Sequence, residues 1–252
     1  MVNRNSIPLG CWVLCCCLFA ATAKAAITVD KGYDLLETTA GTTFAGAPFQ
    51  GVPLGAYDFG GGPIGVGSAD TIVHRLDDLS LLGPGTGTVP IELVALQLVS
   101  AMPIDLGAGL NSYFITLQSA RGGPASTGQM TITAADPGGG TFNSFFDVFF
   151  DIRVGGLNGP IILSDMLQLN SNGTNWDRNP DPNAVIIDGI NHNLNGIDQQ
   201  ADFWPNAITE SHPSGAVHSV VEAVVTEPAS LIIWSLLGLA FAGATWWQRR
   251  KR

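Results

Sequence analysis

Oxygen-bearing side chains alternate along one short stretch of this chain. Asn191, Asn193 and Asn195 stand two apart ahead of Gly196, and Asp198 and Asp202 follow, with Asp202 at the twelfth position counted from Asn191. A chain curling around a hard cation presents oxygen at every second residue and turns sharply at glycine, which is the geometry of a calcium loop. Three departures weaken the match. Asn stands for Asp at the first three ligand positions, Asp closes the loop in place of Glu, and Asp198 occupies a position that is usually apolar. Two readings follow: a weak calcium loop made by Asn191, Asn193, Asn195, Asp198 and Asp202, or Asn and Gly serving turns through side-chain hydrogen bonds and left-handed backbone. The reduced charge favours the second, and no cofactor other than this calcium is expected.

The remaining chemistry-bearing patterns are weaker. Gly60, Gly62 and Gly65 have the G-x-G-x-x-G spacing, but a pyrophosphate site needs a strand leading into a helix. Pro63, Gly67 and the lack of helical periodicity instead predict a surface loop. His212 and His218 are separated by Pro213 and Gly215, a poor zinc spacing, and with His74 and His192 they are expected at the surface or at strand edges. Asp147 and Asp151 project from one face of one strand, but four residues at about 3.3 Å each place them roughly 13 Å apart. Glycosidase carboxylates stand about 5–9.5 Å apart. No G-x-S-x-G elbow, H-E-x-x-H helix or phosphate loop is present, so a non-catalytic protein is expected.

The elements that must position these residues are strands. From Phe145 to Val154, Phe146, Val148, Phe150, Ile152 and Val154 share one parity, while Asp147, Asp151 and Arg153 share the other, as expected for a strand with one core face. Ala216–Val225 gives a second alternation, with Val217, Val221 and Val225 opposite His218 and Glu222. Further strands are predicted at Ile91–Val99, Tyr113–Leu117, Gln129–Thr133, Ile161–Leu163, Met166–Leu169 and Ala184–Ile187. Gly41–Gly67 and Asn170–Asn183 read as loops. Short strands with Gly-rich and Pro-rich connections predict a mainly β fold, an antiparallel, jelly-roll-like β-sandwich.

Both ends carry export features. Arg4, the apolar run Gly10–Ala21 and the small residues of Ala23-Lys24-Ala25 read as a signal peptide over residues 1–25. At the other end, Thr226-Glu227-Pro228-Ala229-Ser230 leads into an uncharged apolar run, 229–247, followed by Arg249, Arg250, Lys251 and Arg252. At 1.5 Å per residue that run spans roughly 28 Å, enough to cross a bilayer as a helix. The basic tail should stay on the cytoplasmic side. Membrane physics alone allows a plain single-pass anchor.

The order of Glu-Pro, apolar helix and basic cluster resembles the PEP-CTERM sorting signal of Gram-negative bacteria, with Thr226 in place of the motif's first Pro. The resemblance covers residues 226–252. It implies recognition by an exosortase, a membrane-embedded transpeptidase, and delivery to the cell surface or to an exopolysaccharide-associated matrix.

These ends change what composition means. All four cysteines (Cys11, Cys15, Cys16, Cys17) fall in the N-terminal segment, so the ectodomain, residues 26–225, must be held by its core without disulfides. Over residues 26–230 only Lys31, Arg75, Arg121, Arg153 and Arg178 oppose all 21 acidic residues, a formal balance of −16. Such a charge disfavours nucleic acid as a partner. The expected function is a non-catalytic surface or extracellular-matrix protein. The alternatives are a calcium-dependent carbohydrate-binding module, with Tyr57, Trp176 or Trp204 stacking on sugars, and a polysaccharide-acting hydrolase. Exposed aromatic side chains favour the module, and paired carboxylates in one cleft favour the hydrolase.

Overall fold

The computed structural model describes residues 26–44, 46–105, 109–178, 203–205, 208–211 and 217–222. Among these the fold is mainly β and its strand pairings are antiparallel, with no α-helix. The chain opens with β1 (Ile27–Val29), β2 (Gly32–Thr38), β3 (Thr42–Phe44) and β4 (Ala47–Gly51). A hairpin of β5 (Gly55–Asp58) and β6 (Pro63–Gly67) precedes β7 (Thr71–Arg75) and β8 (Leu79–Leu81). The long β9 (Gly85–Ser100) leads through β10 (Ile104–Asp105) and β11 (Leu110–Asn111) to β12 (Tyr113–Leu117). After a 3-10 turn, Gln118–Arg121, come β13 (Ser126–Asp136), β14 (Gly139–Val154) and β15 (Ile161–Asp177). β16 (Trp204–Pro205), β17 (Ile208–Ser211) and β18 (Val217–Glu222) complete the order.

The hydrogen-bonded order β14–β13–β9–β7–β2–β18–β17–β15 returns to β14, and among the described residues β15 and β17 pair at Asn170 and Ser211. The longest strands change partners along their length. β9 pairs with β13 through Leu93 and with β12 from Gln97, while β14 pairs with β13 through Asp147 and with β12 from Phe150. β12 and β13 therefore occupy, one after the other, the slot between β9 and β14. The inner faces of these strands supply one core, including Ile91, Leu98, Ile115, Ile132, Phe142, Phe146, Val148 and Trp176. In β14 the expected parity holds, with Phe146, Val148, Phe150 and Ile152 buried.

Several expectations need correction. The predicted loop Gly41–Gly67 contains β3, β4, β5 and β6. Its glycines serve the turns instead: Gly60 (φ 103) and Gly62 (φ 111) are left-handed, and their N–H groups donate to the Asp58 carboxylate at 2.8 and 3.0 Å. The hairpin lies on the outer face of β2, where Leu35 packs with Val66 and Ala69. Ile161–Leu163 and Met166–Leu169 belong to one strand that also takes in Asn170–Asp177, part of the second predicted loop. In β18 the inward parity is the reverse of the valine pattern: Val220 and His218 are buried, and Val221 is 36 % exposed. A polar side chain faces inward there because it finds partners inside. The 184–187 strand expectation lies outside the described residues.

Candidate functional site

The calcium-loop residues Asn191, Asn193, Asn195, Asp198 and Asp202 lie outside the described residues, as do His192, His212, the sorting motif 226–230 and the basic tail 249–252. Among the described residues no group of three or more His, Cys, Asp or Glu side chains is placed to hold a metal. No helix among them is long and apolar enough to cross a membrane.

Two polar assemblies stand out in what is described. The first lies inside the closed order. β2 brings Asp34 and neighbouring β7 brings Arg75, two positions out of register, where Val73 faces Asp34 and Gly32 faces Arg75, with side chains 2 % and 1 % exposed. Arg75 Nε donates to Asp34 Oδ2 at 3.1 Å and Nη2 to Oδ1 at 3.3 Å, while Nη1 donates to the Asp30 carbonyl. The guanidinium also lies 4.5 Å over the Phe203 ring, which stacks on Trp176 at 5.2 Å. A buried charge is tolerable only when paired and hydrogen-bonded, and this one is.

Nearby, Glu210 Oε2 is 3.5 Å from His218 Nδ1, and His218 Nε2 is 3.1 Å from Thr38 Oγ1. Carboxylate, imidazole and hydroxyl in that order match a nucleophilic triad. The surroundings close this set to substrate. Thr38 Oγ1 donates to Asp70 Oδ1 at 2.7 Å, and the same carboxylate accepts from Thr38 N–H at 2.7 Å and from Thr71 Oγ1 at 2.6 Å. Thr38, Asp70, Glu210 and His218 are all buried, and the adjoining cavity of about 20 Å³ has room for about one water molecule. Burial pushes the Asp70 carboxyl up, against those three donated hydrogen bonds. Gly51 makes room for it, since a Cβ there would stand 1.6 Å from Asp70 Oδ2.

The second assembly is on the outer surface. A groove of about 420 Å³ runs between the β5 hairpin, the outer face of β9 and β12, and the loop after β14. The 3-10 turn places Arg121 at its rim. Gly122, left-handed at φ 81, ends that turn and sends its N–H back to the Ser119 carbonyl. Arg121 Nε and Nη2 donate to Asp151 Oδ2 and Oδ1 at 2.5 and 2.9 Å. Arg153 Nη2 lies 3.5 Å from the same carboxylate, and Ser164 Oγ donates to it at 2.6 Å. These partners hold the Asp151 carboxyl below the usual carboxylate range, the Arg121 hydrogen bond contributing most.

Asp151 thus shares the outer parity of β14 with Asp147 but is buried beneath two arginines, while Asp147 accepts from Gln168 Nε2 at 3.0 Å. The expected sugar-stacking residues separate in the same way. Trp176 and Trp204 are core residues, and only Tyr57 lines the groove. The expectation of surface histidines also needs correction: His218 is buried, and half-buried His74 stacks on Tyr33 at 4.0 Å.

No family model, curated protein or solved structure matches the chain. The arginine groove escaped sequence reasoning because Arg121 meets Asp151 and Arg153 only through the fold. The single clue was Arg153 sharing a strand face with Asp151 in a segment with five basic residues.

Proposed function

We propose that this chain is an exported cell-envelope protein. In this reading residues 1–25 direct export, an exosortase recognises Thr226–Ser230 with the 229–247 helix and the basic tail 249–252, and the β domain serves at the cell surface or in an extracellular matrix without catalysis. We further propose a jelly-roll-like sandwich for that domain, with β9, β14 and β15 bending so that each contributes to both halves. The change of partners along β9 and β14 supports it.

The observation that carries the functional reading is the C-terminal order of Glu227-Pro228, an uncharged apolar run and four basic residues. The interior agrees with a non-catalytic role. Its acid–base groups satisfy one another, and a buried polar network of that kind fixes a fold. The hydrolase reading finds Asp147 and Asp151 in different company.

Intact mass of the protein recovered from its host, with and without exosortase, tests the proposal. Loss of the segment after about residue 227 only when exosortase is present is the expected result. A chain ending at Arg252 in both strains would overturn it.

A further inference from the structure

We propose that the outer groove is a binding site for a saccharide carrying an isolated carboxylate, such as a uronic acid residue. Its volume of about 420 Å³ falls in the range of small-ligand sites. Two of the five basic residues in the acidic segment 26–230 line it, and no carboxylate does. Asp151 sits behind the two guanidinium groups with no exposed surface, so the pair leaves one formal positive charge facing outward.

The geometry assigns distinct roles to the two arginines. Arg153 donates Nε to Thr116 Oγ1 at 3.0 Å and Nη1 to the Gly159 carbonyl at 3.1 Å, and with Nη2 3.5 Å from Asp151 it contributes chiefly its field. Arg121 is 41 % exposed. Its Nε and Nη2 are taken by Asp151, and Nη1 has no hydrogen-bond partner among the described residues. A guanidinium held by a buried carboxylate is already oriented before a ligand arrives, which lowers the entropic cost of binding.

The rest of the groove fits a polyhydroxylated ring. The side-chain amides of Gln97 and Asn158 have no intramolecular hydrogen bond among the described residues, and each offers donors and an acceptor to hydroxyl groups. Half-buried Tyr57 and Leu157 give an apolar wall. Tyr57 is held edge-on by Phe59 at 4.8 Å, and burial raises its phenol so that it stays neutral. The formal charge of −16 over residues 26–230 disfavours a dense polyanion such as nucleic acid or polyphosphate far more than a ligand with a single carboxylate.

The test is calorimetric titration of the full chain in detergent with a glucuronate-containing disaccharide, its neutral carboxamide, a neutral disaccharide and inorganic sulfate. The uronate should bind, the two neutral sugars should bind at least about tenfold more weakly as expected for a lost charge-assisted contact, and high salt should reduce the difference. Ala120→Glu, an exposed change at the rim, should abolish uronate binding with the melting temperature unchanged. Tyr57→Ala should weaken all the sugars together. No uronate binding, equal binding of acid and carboxamide, or an unaffected Ala120→Glu variant would overturn the proposal. Sulfate binding as tight as the uronate would mean an adventitious anion only, and would also overturn it. None of these outcomes bears on exosortase processing, which the mass measurement reads separately.

Discussion

Replacing Arg75 by Met should be among the most damaging single changes in the β domain. The substitution keeps most of the apolar stem but removes the guanidinium paired with Asp34, where both side chains are at most 2 % exposed. Removing one member of a buried ion pair costs about 3–5 kcal/mol, because the remaining charge stays buried without compensation. Loss of the contact over Phe203 at 4.5 Å adds about 0.5–2 kcal/mol. With a urea dependence of about 2 kcal/mol per molar, the unfolding midpoint should fall by roughly 2–3.5 M. The double variant Asp34→Leu/Arg75→Met removes both charges, and it should recover most of that loss, since apolar replacement of a buried pair is often neutral or stabilising. Urea unfolding of wild type, both single variants and the double variant, followed by tryptophan fluorescence, closes the cycle. A cost under about 1 kcal/mol for Arg75→Met, or a double variant no more stable than Arg75→Met, would refute the reasoning that the pair is dry and mutually dependent.

Acid should act on Asp151 and Asp70 in opposite senses. The folded value for Asp151 lies below its ordinary 3.8, so its contribution is full above that value and is lost as pH falls through the lower folded one; Asp151→Asn should flatten the acid limb of stability against pH. The folded value for Asp70 lies above 3.8, so its contribution is full below 3.8 and is lost as pH rises through the folded value; Asp70→Asn should remove that fall, as read by melting temperature across the window just above 3.8. Trp176→Ala should lower stability by about 3–5 kcal/mol while leaving saccharide titration at the groove unchanged, whereas loss of binding at unchanged stability would return Trp176 to a surface role.

Strands with an apolar inner face were legible in the sequence, and Tyr113–Leu117 matches β12 at both ends. Phe146, Val148, Phe150 and Ile152 could be read because nothing polar interrupts their parity. His218 and Glu210 could not, because alternation assigns polar residues to solvent and these two face inward to meet Thr38 and each other. Glycine density suggested a loop over residues 41–67, where short strands in fact alternate with left-handed turn glycines. The continuity of β15 was hidden because Ile161–Met166 is exposed on both faces, which leaves no inward–outward pattern to detect. The groove depends on contacts between residues about 30 apart, such as Arg121 and Asp151, and pattern reading has no access to these.

The closed order also governs when the fold can form. β2 is flanked by β7 and β18, and the Thr38–His218 contact joins residues 180 apart in the chain. At a synthesis rate of about 5–20 residues per second, roughly 9–36 s separate the appearance of these two partners. During that interval one edge of β2 lacks its neighbour, and Asp70 and Thr38 wait for the imidazole that completes their network. A chain emerging N-terminus first therefore cannot close this order until β18 has appeared. Closure comes last, and a truncation that removes β18 would leave the whole order open.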